Sequence, residues 1–157
     1  MAEPVVLFVC WGNICRSPMA QIVARARAER AGVPVAFASA GVSAEESGNP
    51  IDPRAADVLA EAGYPLAEHR AHQVTRDELA QASLIVGMEQ LHLDRVERMG
   101  ADPTRTYLLT DFDPDADPQA DIPDPWYGPE SGFVDTLHAI EAAMPELMRR
   151  AAELVAE

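Results

Sequence analysis

The chain has 157 residues and carries 26 acidic against 12 basic side chains, a formal charge of −14. So acidic a protein is a poor partner for nucleic acid or for an anionic membrane surface, and two cysteines are too few for a disulfide framework. No apolar run approaches the ~20 residues that cross a bilayer. Met1-Ala2-Glu3-Pro4 leads into the first apolar stretch without a basic-apolar leader, so the expectation is one cytoplasmic domain, 1–157, long enough for a real core.

Val5 to Val9 is short, apolar and β-branched, which predicts a strand buried on both faces. Met19 to Ala31 is rich in Ala and Arg, which predicts a helix, with Ser17 at its N-cap and Pro18 at its first position. Ala31-Gly32 ends that helix, and Val35 to Val42 reads as a second strand. Ser43 to Pro50 is a polar surface loop. Asp52 to Ala62 predicts a helix capped by Asp52 with Pro53 behind it, and Thr75-Arg76-Asp77-Glu78 has the spacing of a capping box. Ser83 to Met88 is a third buried strand, Glu89 to Met99 a helix stopped by Gly100, and Arg105 to Thr110 a fourth strand. Thr110 to Glu130 is an Asp/Pro-rich loop. Its Asp111, Asp113, Asp115 and Asp117 lack the Gly and Glu that a calcium loop requires, because Ala116 and Ile122 stand in those places. From Ser131 a long amphipathic helix offers Phe133, Val134, Leu137, Ile140, Leu147 and Leu154 to the core, with Pro145 expected to kink or restart it. Strands alternating with helices predict an α/β fold: a single-domain sandwich with a central four-stranded parallel sheet flanked by helices. Ligands of such sheets bind beyond the carboxyl ends of the strands.

Cys10 lies at such an end. The loop that follows, Cys10-Trp11-Gly12-Asn13-Ile14-Cys15-Arg16-Ser17-Pro18, runs straight into a helix N-terminus. Inward-turned amides and the positive end of the helix dipole make a site for a doubly charged oxyanion, and the same field favours the thiolate of Cys10, the nucleophilic form. Arg16 supplies a planar fork for two phosphoryl oxygens, the Ser17 hydroxyl can donate to the sulfur, and Gly12 and Asn13 tolerate the positive φ that such a loop needs. Cys-x4-Cys without a second Cys/His pair argues against zinc.

This loop resembles the active-site loop of the low-molecular-weight protein tyrosine phosphatases, and the resemblance extends from Val5 to the last helix. It implies a phosphate-binding loop after the first strand, a phosphocysteine on Cys10, and no metal or other cofactor. By resemblance Ser39 hydrogen-bonds Asn13, and His69, in Glu68-His69-Arg70-Ala71-His72-Gln73-Val74, buttresses the same asparagine; from the residues alone, a plain buried serine and a surface histidine remain open. His72 stands where the family commonly has Arg. Glu45 and Glu46 occupy a stretch that forms one wall of the family's cleft, so substrate preference is not carried over. Asp121-Ile122-Pro123-Asp124-Pro125-Trp126-Tyr127-Gly128 resembles the element bearing the general acid. Prolines on both sides of Asp124 restrict its backbone, a phosphate dianion beside it would help it keep its proton, and Trp126 and Tyr127 opposite Trp11 would give flat walls for a phenyl ring. The implied partners are phosphotyrosine proteins, with a tyrosine kinase among them, and phosphate or other oxyanions in the site. Three rivals stand beside this. Arsenate reductases of the same fold use further cysteines, and none follows Cys15. Arginine phosphatases are marked by Thr at the place of Ile14. A non-catalytic phosphate-binding module would not need Cys10, Arg16 and Asp124 together.

Overall fold

The computed structural model describes residues 3–156; Met1 and Ala2, read from sequence as leading into the first strand, lie outside them. The strands are β1 (Val5–Cys10), β2 (Ala36–Gly41), β3 (Leu84–Gly87) and β4 (Thr106–Leu108). The helices are α1 (Arg16–Ala31), α2 (Pro53–Glu61), α3 (Arg76–Gln81), α4 (Gln90–Arg98) and α5 (Ser131–Ala156). All pairings are parallel, in the order β2-β1-β3-β4. The chain runs outward from β1 in one direction to β2 and then returns to its other side for β3. β1 is therefore the switch point, where the crossovers leave a crevice at the carboxyl ends.

Strand periodicity sorts the core into two layers. Val6, Phe8 and Cys10 face the layer that holds Met19 and Val23 of α1 and Ile140 and Leu147 of α5. Leu7 and Val9 face the other, with Leu79 of α3 and Val96 of α4. The register that pairs Cys10 with Gly41 and Val9 with Gly87 brings three strand ends level. Asp52 caps α2, accepting from the Arg54 amide at 2.9 Å with Pro53 at the first position. Thr75 and Glu78 close the capping box of α3, and Gly32 ends α1 in the left-handed conformation at φ 70°.

Four expectations change. Ser17 does not cap α1: the helix begins at Arg16 with Cys15 at the cap and no side-chain cap bond, because the Ser17 hydroxyl is drawn inward to Cys10 and Asn13. Pro18 still falls within the first turn, where its missing N–H costs nothing. Val134 is 38 % exposed, since Phe133 and Leu137 take the inward stripe of α5. α5 continues across Pro145 without restarting: the proline is on the exposed side, and Met144 and Leu147 keep the buried face continuous. β4 is three residues long, and β2 and β3 each stop one residue short of the expected strand at both ends.

The Asp/Pro-rich loop is tied down rather than loose. The Ile122 amide donates to the Met88 carbonyl at 2.9 Å, and Asp121 accepts from the Gln90 amide at 2.9 Å. This carries residues 121–124 to the end of β3, beside Cys10. Among the described residues, no cluster of His, Cys, Asp and Glu could hold a metal ion, and no helix is long and apolar enough to cross a membrane.

Phe8 is fully buried and stacks on Phe37 at 6.1 Å between ring centroids. Phe8→Ala should cost about 3–5 kcal/mol, to be read as a lowered urea midpoint at unchanged slope.

Candidate active site

The loop between β1 and α1 is shaped by Asn13. Its φ of 63° lies in the left-handed region, which Asn visits more readily than most residues. Its side chain is fully buried, and its polar groups are spoken for. Nδ2 donates to Ser17 Oγ at 2.8 Å and to Ser39 Oγ at 3.0 Å, while Oδ1 accepts from the His72 amide at 3.2 Å. The backbone carbonyl accepts from His69 Nε2 at 2.7 Å. Burial holds the His69 ring below its ordinary pKa, so it serves as a neutral donor. The Ser39 hydroxyl in turn donates to Gln21 Oε1 at 2.6 Å. Gly12 does not share the positive φ. What a side chain there would meet is Glu46, whose Cγ lies 3.1 Å from the place of a Cβ. Gly41, paired with Cys10, supports the loop from beneath: a Cβ would stand 2.8 Å from the Trp11 carbonyl oxygen and 3.2 Å from the Asn13 nitrogen.

Cys10 is buried at the bottom of the cleft with Sγ 3.0 Å from Ser17 Oγ. Because Ser17 accepts from Asn13, its hydroxyl hydrogen is left for the sulfur. Cys15 has a different environment. Burial, followed by the nearby Asp52 carboxylate, pushes its thiol well above the usual range, and Sγ points at Asp52 Oδ2 at 3.9 Å. Cys15 thus stays protonated.

Arg16 is 1 % exposed. Nη1 donates to the Ile122 carbonyl at 2.8 Å and pairs with Glu89 Oε2 at 3.1 Å, while Nη2 lies 3.6 Å from Asp124 Oδ2. Nε is buried without a partner, which a bound anion would satisfy. Behind Glu89 sits His92, fully buried, whose Nδ1 accepts from the Glu89 amide at 3.1 Å and whose Nε2 is 3.3 Å from the Glu89 carboxylate. Burial and then the Arg16 charge push His92 down to about 3, so the ring is neutral and the Glu89 charge is spent on Arg16.

Asp124 hangs over this floor from the turn Pro125–Tyr127. Its Oδ1 accepts from the Trp126 amide at 3.1 Å, which leaves Oδ2 toward the cleft. The turn is held by Arg54, which lies over the Phe133 ring at 4.6 Å and donates to the Trp126 carbonyl at 3.4 and 3.5 Å. Arg54 in turn is paired with Asp52 at 3.0 Å; burial opposes it, but these hydrogen bonds hold the Asp52 carboxyl below its usual value. Trp126 and Tyr127 are not core residues. They stand at the mouth, 47 % and 83 % exposed, in an edge-to-face pair at 5.0 Å. Trp11, Ile14, Glu45 and Glu46 complete the walls.

The cleft thus gathers Cys10, Trp11, Gly12, Ile14, Cys15, Arg16, Asp124, Trp126 and Tyr127 from the sequence-read set. Asn13, Ser17, Ser39 and His69 lie behind it as supports. Glu89, His92, Gly41 and Arg54 were not marked in the sequence. The nearest signal was Glu89 itself, an acidic residue directly after a buried strand end that faces a phosphate loop.

The His92 reading has a measurable consequence. An unfolded histidine takes its proton near pH ~6.5, whereas the folded one refuses it down to about 3. The unfolded state therefore binds the extra proton in between, and stability that is fully present above ~6.5 is lost as pH falls, at up to about 1.4 kcal/mol per pH unit from this group. The His92 ring resonances should stay flat from about pH 7 to about pH 5 while the protein remains folded; a titration in that range would contradict the assignment.

The family model for low molecular weight phosphotyrosine protein phosphatase matches residues 5–157. A low molecular weight protein-tyrosine-phosphatase of Streptomyces coelicolor is 40 % identical over 156 residues, covering 96 % of this chain and 94 % of its own. Among solved structures, a protein tyrosine phosphatase from Entamoeba histolytica with Hepes in the active site superposes with a TM-score of 0.89 at 25 % identity, covering 96 % of this chain and 98 % of that one. The YwlE arginine phosphatase, solved as a cysteine-to-serine mutant with a phosphorylated active site serine, superposes at 0.82 with 27 % identity over 93 % of this chain and 94 % of that one. With one family model spanning all but the first four residues, and a cleft built as described, the chain belongs to the low molecular weight phosphotyrosine protein phosphatase family.

Proposed function

We propose that the protein hydrolyses phosphotyrosine in proteins in two steps through a phosphocysteine. The observation that carries this reading is the convergence, in one cleft, of a buried thiol with a hydroxyl donor at 3.0 Å, a buried guanidinium with an unpaired Nε, and a carboxyl 3.6 Å from that guanidinium. In the first step the Cys10 thiolate attacks phosphorus in line, the P–O bond to the phenol breaks, and Asp124 gives its proton to the leaving oxygen. In the second, Asp124 takes a proton from water, the water oxygen attacks phosphorus, and the S–P bond breaks to return the thiolate and release phosphate. Loop amides and Arg16 stabilise the equatorial oxygens in both steps, already oriented before substrate arrives. Glu89 and the Ile122 carbonyl set the plane of the Arg16 fork. Ser17 stabilises the sulfur as attacker and as leaving group.

The names of the relatives support this chemistry, and the phosphorylated active site serine of the YwlE mutant supports a covalent phospho-enzyme on this fold. That same neighbour is an arginine phosphatase, which keeps phosphoarginine as the second reading. Ile14, whose bulk lines the cleft, and the aromatic pair at the mouth favour a flat phenyl group over a guanidine. The arsenate reductase reading has no further thiol to pass oxidation to beyond Cys15.

Cys10→Ser should eliminate turnover of p-nitrophenyl phosphate, and activity near wild type would refute the nucleophile. Asp124→Ala should lower turnover of phosphotyrosine peptides by ~10²–10⁴, with a smaller loss for leaving groups that depart without a proton; equal losses across leaving groups would remove Asp124 from the acid role.

A further inference from the structure

Trp11 is held by side chains from two other elements. Its indole Nε1–H donates to Glu45 Oε2 at 3.2 Å, from the loop after β2. The Arg95 guanidinium of α4 lies over the ring, its Cζ 5.1 Å from the centroid. The rest of the side chain packs against the apolar layer that contains Val9, Val42 and Val96. Edge, face and base of the indole are each fixed. The opposite wall is looser: Tyr127 is 83 % exposed, and Trp126 is anchored through its backbone carbonyl to Arg54. The cleft therefore has one rigid aromatic wall and one adjustable one.

We propose that Glu45 and Arg95 are positioning residues that hold the Trp11 indole as a fixed flat wall, and that this tether biases the cleft toward aryl over alkyl phosphate groups. The inference rests on the phosphotyrosine reading above and deepens it by naming what selects the ring. A stacked ring gains full contact only against a wall already in place, because an untethered tryptophan must give up rotamer freedom when the ligand binds. The phosphoryl group is held separately, by the loop amides and Arg16. Loosening the indole should thus weaken the grip on the ring and leave the grip on the anion unchanged.

Binding of phenylphosphonate and methylphosphonate separates the two grips without requiring turnover. In the Glu45→Ala/Arg95→Ala double variant, phenylphosphonate should bind about 3- to 10-fold more weakly, the range expected from losing one exposed cation–π contact and one hydrogen bond. Methylphosphonate should weaken less, so that the ratio of phenyl- to methylphosphonate affinity falls by about 3- to 10-fold. Glu45→Gln, which keeps an oxygen acceptor for Nε1–H, should recover most of the loss seen in Glu45→Ala. The chain has two tryptophans, so in a Trp126→Phe background fluorescence reports Trp11 alone, and the double variant should raise its quenching by acrylamide. In turnover of p-nitrophenyl phosphate the loss should fall more on KM than on kcat. Equal weakening of both phosphonates, or unchanged phenylphosphonate binding, would overturn the tether while leaving the phosphatase reading intact. If the wild type bound neither phosphonate, the anion site itself would fail and the tether with it.

Discussion

Everything at this site depends on one asparagine kept in a conformation it would not hold alone. A left-handed residue costs roughly 1–2 kcal/mol when its side chain gains nothing in return. Asn13 is compensated by the Ser17, Ser39 and His72 contacts to its side chain and by His69 on its carbonyl. The turn of the loop is fixed by these contacts. Gly41 beneath the loop leaves no slack, since any side chain there would press on the Trp11 carbonyl. The Arg16 fork is likewise held in place, by the Ile122 carbonyl and Glu89, and donors fixed in this way lower a barrier without reorganising first.

The second constraint is electrostatic. A buried guanidinium must be paired, or its desolvation goes unanswered. Arg16 satisfies this through Glu89 and the Ile122 carbonyl, both outside the phosphate loop, while Nε stays unpaired. A neutral His92 behind Glu89 leaves that carboxylate no competing cation. The floor thus keeps one buried guanidinium with Nε open to an anion, in a chain whose formal charge is −14.

How much of this was written in the chain follows from distance along it. Cys10 to Ser17 is a contiguous run whose residue types each answer a local need, and Asp124 sits between two prolines, so both could be picked out before any fold was known. The capping of α2 and α3 was legible for the same reason. Ser17 reaches the sulfur as its residue type suggests but does not cap α1: a helix cap is a local preference, and the buried thiol and Asn13 overrode it. His92 and Gly41, and Glu89 apart from its place just after a buried strand end, stayed hidden for a different reason. Each gains its meaning from the register of parallel strands, which places Gly41 under the loop and the end of β3 against Arg16. Nothing within a few residues of them announces that neighbour. Pro145 shows the converse, a strong local breaker outvoted by the continuous buried face of α5.

The supports of Asn13 and Arg16 are spread from Gln21 to Asp124, far along the chain from the loop they serve. Until the end of β3 and the segment after β4 have docked, Arg16 lacks Glu89 and the Ile122 carbonyl. The oriented guanidinium therefore arrives together with the tertiary structure as a whole. Any oxyanion that fills the finished cradle selects the fully folded chain and stabilises it by mass action.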